Sequence, residues 1–187
     1  MRIEDVTVIL LAAGRGTRFG GGKLAALLDG RPLVHHAAAM LGGLPFARRI
    51  AVVAPGVPDL AAFGFAAVSP AADAPLSASL AAGLAGVEDP VLIALGDMPR
   101  VTAGHIRALV AAFAGDRIAS LDGAQPLPPA LFGAQHLPAL RALTGDRGAG
   151  ALLKGAPGLA LPPGAAIDID TPADLSFLAG AGSRRTV

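Results

Sequence analysis

Cysteine, tryptophan and tyrosine are absent from the 187-residue chain. Without a thiol there is no disulfide, no thiolate nucleophile and no cysteine-ligated zinc, a composition expected of a cytoplasmic protein. Aromatic side chains make up 4% of the sequence although 53% of it is hydrophobic, so the core has to be built from many small aliphatic groups. Net charge is also scarce: the formal value is +1. That gives no general attraction to nucleic acid or to a membrane surface, and it confines any basic site to one locality. No apolar run reaches the roughly 18 residues, free of breakers, that a membrane span requires. Met1-Arg2-Ile3-Glu4-Asp5 is too acidic, and the apolar run behind it too short, for a secretory signal peptide. What remains is a length suited to one full-sized domain, rich in alanine, glycine and proline.

The stretch from Leu11 to Lys23 is the most informative. It follows the apolar run Val6-Thr7-Val8-Ile9-Leu10, which reads as a buried strand. It then opens into a loop with five glycines and two arginines and ends on Lys23. Glycine lets backbone N–H groups approach an anion closely, and Arg18 and Lys23 add charge that phosphate oxygens can use. Two better-known phosphate loops are excluded by spacing. A Walker loop needs glycine where Thr17 stands and Ser or Thr where Leu24 stands. A dinucleotide fingerprint that starts at Gly14-x-Gly16 needs glycine where Phe19 stands.

Elsewhere, strand and helix signals alternate. A helix is expected from Pro32 to Leu41, ended by Gly42-Gly43, and a strand from Ile50 to Val53. A short helix follows from Pro58 to Phe63, then a strand from Phe65 to Ser69 and a helix from Ser77 to Leu84. Val91-Leu92-Ile93-Ala94-Leu95 is the clearest internal strand. Thr102 caps a helix that runs to Phe113. Beyond Gly115 the pattern loosens. Strands are expected at Ile118 to Leu121 and Ala130 to Phe132, separated by the proline-rich Gln125 to Pro129. Short helices are expected at Pro138 to Leu143 and Arg147 to Leu153, and short strands at Leu159 to Leu161 and Ile167 to Ile169. A final helix runs from Thr171 to Leu178, with Pro172 in its first turn and a capping box from Thr171 to Asp174. The alternation predicts an α/β sheet covered on both faces.

Ligands in such sheets bind beyond the carboxyl ends of the strands. The Gly14 to Lys23 loop and Gly96-Asp97 both fall there, with Gly96 allowing a sharp turn. A carboxylate opposite a phosphate loop repels the ligand unless a cation lies between them, and Mg²⁺ is the expected one. The alternative is that Asp97 only caps the turn before Pro99. Asp168 and Asp170 share a strand face by parity. Asp170 can serve the adjoining helix cap, whereas Asp168 has no such local task.

Leu11-Ala12-Ala13-Gly14, followed by Arg18, Gly20 and Lys23, resembles the signature of nucleotidyltransferases with the glycosyltransferase-A-like fold. The molybdenum cofactor cytidylyltransferases are the most similar among them. Leu95-Gly96-Asp97-Met98-Pro99, Leu143-Thr144-Gly145-Asp146-Arg147-Gly148 and Asp168-Ile169-Asp170-Thr171-Pro172-Ala173-Asp174 extend the resemblance over nearly the whole chain. It implies a three-layer α/β sandwich with a mostly parallel central sheet, the nucleotide-diphospho-sugar transferase fold. One domain would cover 1–179, with the nucleotide in about 1–115, the acceptor in about 116–179 and a tail at 180–187. The implied reaction moves CMP from CTP to the phosphate of molybdopterin-bound molybdenum cofactor, releases pyrophosphate and depends on Mg²⁺, with a molybdoenzyme as eventual recipient. Lys23 and Arg18 would be catalytic. Leu11, Ala12, Ala13, Gly14, Arg15, Gly16, Lys23 and Ser79 would meet the nucleotide, and Asp97 and Asp168 the metal. Ser77 and Ser79 either approach the base or cap their helix. Asp73-Ala74-Pro75-Leu76 lacks the glycine the family pattern leads one to expect before those serines. Arg147 either sits in a turn or meets the acceptor, and His35, His36, His105 and His136 receive no role. Competing readings are transfer to another phosphorylated acceptor, such as a sugar phosphate, with GTP as an alternative donor, and a non-catalytic nucleotide-binding assembly partner.

Overall fold

The computed structural model describes residues 1–14, 19–71, 73–167 and 169–182. The strands among them are β1 (Thr7–Ala12), β2 (Leu27–Leu28), β3 (Arg31–Pro32), β4 (Arg48–Val53), β5 (Ala66–Val68), β6 (Val91–Leu95), β7 (Arg117–Asp122), β8 (Gln125–Phe132) and β9 (Gly158–Ala160). The α-helices are α1 (Leu33–Gly42), α2 (Leu76–Gly83), α3 (Ala103–Ala112), α4 (Leu137–Arg141) and α5 (Pro172–Gly182). One sheet runs in the order β5-β4-β1-β6-β8-β7-β9, and β2 and β3 form a separate hairpin. β5, β4, β1 and β6 are parallel. β8 runs antiparallel to both β6 and β7, and β9 is parallel to β7.

The uninterrupted apolar runs of β1 and β6 follow from burial on both faces. Val8, Leu10 and Ala12 of β1 pack with Leu33, Val34 and Leu41 of α1 and Ile106 and Leu109 of α3. Ile9 points the other way, into a cluster with Leu80 of α2 and Leu137 and Leu140 of α4. These are the three layers, with the sheet in the middle. Small residues set the helix–sheet spacing. A Cβ on Gly83 would stand 2.6 Å from Val52 Cγ2 and 3.1 Å from Ile9 Cγ2.

Several elements depart from the sequence expectations. α1 continues through Gly42, where a Cβ would come within 2.7 Å of the Phe63 carbonyl. The helix ends at the expected Gly42-Gly43 pair, with Gly43 as its C-cap, and Gly42 is in addition a close-packing residue. The expected Pro58 to Phe63 helix is only a 3₁₀ turn at Ala61–Phe63. The proline-rich 125–129 segment does not separate two elements but opens β8. The β7–β8 register passes from Ala119↔Ala130 to Ser120↔Leu127, leaving Pro128 and Pro129 in a bulge. Proline has no N–H for the ladder, so a bulge accommodates it. The Arg147 to Leu153 helix reduces to a 3₁₀ turn at Ala149–Leu152. Ile167 and Ile169 belong to no strand, and α5 passes the expected Leu178 end to reach Gly182.

Candidate active site

The parallel strands β5, β4, β1 and β6 all end on one edge of the sheet. A cleft of about 430 Å³ opens there. Its walls are Ala13 and Gly14 after β1, Ala54 to Val57 after β4, Pro70, Ala71, Asp73 and Ala74 after β5, the 22–25 turn and Ser79 of α2. Lys23 enters through the glycines before it. Gly20, Gly21 and Gly22 hold φ of 84°, 95° and 65°, a left-handed run that L side chains resist. The chain then closes a 3₁₀ turn at Lys23–Ala25.

Lys23 lies at the centre of the charged groups. Its Nζ donates to Asp97 Oδ2 at 2.7 Å and to Asp170 Oδ1 at 3.2 Å. The lysine side chain is 8% exposed, Asp97 20% and Asp170 41%. A buried ammonium needs such partners, because desolvation of an unpaired charge costs several kcal/mol. Asp97 Oδ1 is buried and has no hydrogen-bond partner. Asp97 is brought to this edge by the turn after β6. Gly96 N donates to Leu11 O at 2.9 Å, and a Cβ on Gly96 would press on Val34 Cγ2 at 3.2 Å and Ala12 Cβ at 3.4 Å. Gly96 stands in the expected turn after β6 and is also closely packed, so a larger residue there would have to displace Val34 and Ala12 slightly.

The segment before α5 supplies the second carboxylate. Ile169 N donates to Asp97 O at 3.4 Å, which lays this segment across the end of β6, and Ile169 is fully buried. The cap of α5 belongs to Asp174: its Oδ2 accepts from Asp170 N at 3.1 Å and Thr171 N at 2.7 Å, and Asp174 N donates to Thr171 Oγ1 at 3.2 Å. Hydrogen bonds from the Thr171 hydroxyl and amide hold the Asp174 carboxyl below its ordinary pKa. With the cap filled by Asp174, the Asp170 carboxylate goes to Lys23, so the helix-cap role weighed for Asp170 is overturned. Asp168 lies outside the described residues.

Of the other candidate residues, Ala13, Gly14, Lys23 and Ser79 line the cleft. Leu11 and Ala12 lie behind it on β1, their carbonyls accepting from Gly96 N and Ala54 N. Arg15, Gly16 and Arg18 lie outside the described residues. Ser77 and Ser79 do not cap α2, whose N-cap is Pro75. Ser77 N instead donates to Gly145 O at 3.2 Å, which ties the Thr144–Gly148 motif to the first turn of that helix. The sequence reading gives the loop after β4 no part in the site, and it notes Asp73 only for the glycine missing from the 73–76 stretch before the serines. The strand-end rule, applied to every parallel strand and not to β1 and β6 alone, identifies both.

His105 is buried, and its Nε2 lies 2.8 Å from Ser120 Oγ. Ser120 Oγ donates its one proton to Pro129 O at 2.6 Å. His105 therefore donates through Nε2 and cannot act as a base toward that serine. Burial pushes the His105 pKa down, and the pair fastens the β8 bulge.

Residues 8–161 match the MobA-like NTP transferase domain. The chain belongs to that family of nucleotidyltransferases. It is 34% identical over 137 residues to the bifunctional protein GlmU of Acidovorax sp. (strain JS42), a match covering 65% of this chain and 29% of GlmU. A nucleotidyl transferase from Methanothermobacter thermautotroptrophicus superposes with a TM-score of 0.79 at 22% identity, over 97% of this chain and 99% of that one. The 2-C-methyl-D-erythritol 4-phosphate cytidylyltransferase from Thermus thermophilus gives a TM-score of 0.66 at 21% identity, over 98% and 100%. These neighbours carry the nucleotide-diphospho-sugar transferase fold across the whole chain. No helix among the described residues of this MobA-like NTP transferase domain is long and apolar enough to cross a membrane.

Proposed function

We propose that the chain is a Mg²⁺-dependent nucleotidyltransferase that moves CMP from CTP to the phosphate of a molybdopterin-type cofactor and releases pyrophosphate, with a molybdoenzyme as downstream recipient. The observation that carries the transferase reading is Lys23, placed in the strand-end cleft with its ammonium 2.7 Å from Asp97. A phosphate oxygen of the acceptor attacks the α-phosphorus, the bond to the bridging oxygen breaks, and that electron pair leaves with pyrophosphate. Negative charge gathers on phosphoryl oxygens, so placed cations do most of the catalysis. Lys23 supplies one, Ala13 and Gly14 bring backbone against the nucleotide, and Arg18 is assigned to the leaving pyrophosphate.

The donor set suits Mg²⁺. Asp97 Oδ1 is a buried oxygen without a partner, and among the described residues no three or more metal-binding side chains cluster. Mg²⁺ is commonly held by one or two carboxylates plus substrate phosphates. Asp97 is its first ligand, with Asp168 and Asp170 as the further carboxylates. When bound there it neutralises charge on the phosphoryl oxygens and orients them.

CTP as donor is supported by the likeness to a cytidylyltransferase. That neighbour's named acceptor, a phosphorylated alcohol, favours a second reading in which the phosphate acceptor is a small sugar-like phosphate. Pyrophosphate release is measured with CTP, GTP, ATP and UTP, each with Mg²⁺, with and without molybdopterin or a sugar phosphate. Release that requires CTP and molybdopterin together supports the first reading. Release with a sugar phosphate alone moves the assignment to the second. Lys23→Ala is expected to slow turnover about a hundredfold, corresponding to about 3 kcal/mol of barrier.

A further inference from the structure

We infer that Arg100 is a positioning residue that acts through α5 to hold the Asp170 carboxylate opposite Asp97. The inference rests on the reading of Asp97 and Asp170 as metal carboxylates. The two reach the site by unequal routes. Asp97 directly follows β6, which is paired on both sides, with β1 and with β8. Asp170 has no strand behind it. It stands on an irregular segment just before α5, is 41% exposed, and meets Lys23 Nζ at 3.2 Å where Asp97 meets it at 2.7 Å. Mg²⁺ demands near-ideal octahedral geometry, and a ligand has to be held within about 0.5 Å of its productive place. Contacts beyond its own segment must therefore fix Asp170.

Two hydrogen bonds fasten that segment to the turn that carries Asp97. At one end Ile169 N donates to Asp97 O at 3.4 Å, a long bond. At the other, the guanidinium of Arg100, which leaves the same turn, donates to Leu178 O at 2.9 Å. Leu178 lies six residues past Pro172, the first residue of α5, about 9 Å along the helix axis. Met98 and Val101 of the turn are buried in one cluster with Ile169 and Leu178. A helix held at one point pivots about it. Held at two points, it keeps its direction, and with it the place of the residue just before its first turn. Arginine suits the second point because its guanidinium is always charged, and a charged donor makes a stronger bond than a neutral one. The guanidinium ends on α5, so Arg100 acts on Asp170 through the helix and not by touching metal or nucleotide.

The test is Mn²⁺ binding, followed by loss of the free-ion electron paramagnetic resonance signal, with and without a non-hydrolysable CTP analogue. Wild type is compared with Arg100→Met, Arg100→Lys, Asp170→Asn and the Arg100→Met/Asp170→Asn double variant. Arg100→Met keeps the apolar stem and removes the donors. It is expected to weaken Mn²⁺ binding about tenfold, the lower end of what losing an outer partner of a metal ligand costs. In the Asp170→Asn background the same change is expected to add nothing, because effects that pass through one residue are not additive. Arg100→Lys keeps a charged donor, is expected to weaken Mn²⁺ less, and carries the test if the methionine variant does not fold. Hydrogen exchange of the metal-free protein is the second readout: the Ile169 and Thr171 amides are expected to exchange faster in Arg100→Met. Where Asp170→Asn weakens Mn²⁺, an unchanged affinity in Arg100→Met, or an equal loss with and without the Asp170 carboxylate, overturns the inference. If wild type binds no Mn²⁺, or Asp170→Asn binds it like wild type, the metal reading of Asp170 fails and exchange alone decides. Faster exchange then keeps the positioning role of Arg100, and unchanged exchange overturns it.

Discussion

Replacing Lys23 tests the charge cluster independently of catalysis. Lys23→Met removes the ammonium and keeps an apolar stem of similar length. Asp97 and Asp170, both bonded to Lys23 Nζ, then face each other without it. Breaking a fully buried pair costs about 3–5 kcal/mol. Asp170 is 41% exposed, so solvent screens its share to about 1 kcal/mol or less. Asp97 at 20% exposure regains some hydration, and the expected net loss is about 2 kcal/mol. For a chain of this length that is a fall of about 4–8 °C in melting temperature. Pairing Lys23→Met with Asp97→Asn removes the uncompensated charge, and the double variant is expected to recover most of the loss. The assay is differential scanning calorimetry of the nucleotide-free proteins at neutral pH and low salt. A Lys23→Met protein that melts with wild type, or a double variant no more stable than the single, would refute the view that this ion pair holds the cleft together.

Asp97→Asn is expected to abolish Mg²⁺-dependent turnover, and normal activity at an unchanged Mg²⁺ optimum would remove it from the metal site. Asp170→Asn is expected to raise the Mg²⁺ concentration for half-maximal rate, read from initial-rate titrations beside Asp168→Asn. A shift confined to Asp168→Asn would return the ligand role to that residue. Gly83→Ala drives a methyl into Val52 and Ile9 and should cost about 1–3 kcal/mol, seen as a lower urea midpoint at unchanged slope. The lowered pKa of buried His105 means the native state resists a proton that the unfolded chain accepts. Its contribution is therefore complete above the ordinary value of 6.5 and declines as the pH falls below it. His105→Gln should flatten the fall in stability below about pH 6.5, and an unaltered pH–stability curve would exclude His105 as its source.

The parallel half of the fold is legible because burial on both faces writes itself as unbroken apolar runs. Val91 to Leu95 is assigned without a boundary error, and the Thr102 and Thr171 caps are found because their side chains bond the backbone locally. What is missed clusters where glycine and proline answer to distant contacts. Gly42 and Gly96 end their elements as expected but also pack closely against Phe63 and against Val34 and Ala12, which the sequence does not show, and Pro128 and Pro129 fall in a bulge opposite Ser120. Asp170 is misweighed for the same reason. Its cap-like position is visible in the sequence, while the competing cap from Asp174 and the ammonium of Lys23, 147 residues away, are not.

The charge logic of the cleft takes a fuller form in the fold. A carboxylate opposite a phosphate loop demands a cation between them, and sequence reasoning supplies Mg²⁺. The fold supplies Lys23 as well, because the left-handed glycines at 20–22 turn the chain back under the strand ends. An ammonium tethered to the same domain is always at high effective concentration beside Asp97, whereas a divalent ion is captured from solution. A triphosphate alters that balance by offering the ammonium oxygens of its own. Asp97 would then have both carboxylate oxygens for the proposed Mg²⁺, whereas Oδ2 is otherwise bonded to Lys23 and Oδ1 lacks a partner. Nucleotide and Mg²⁺ are therefore expected to bind more tightly together than apart, and by linkage each should strengthen the other equally. Titrating Mg²⁺ by calorimetry with and without a non-hydrolysable CTP analogue measures that coupling. Equal Mg²⁺ affinity in both titrations would mean that Lys23 does not leave Asp97 when the nucleotide arrives.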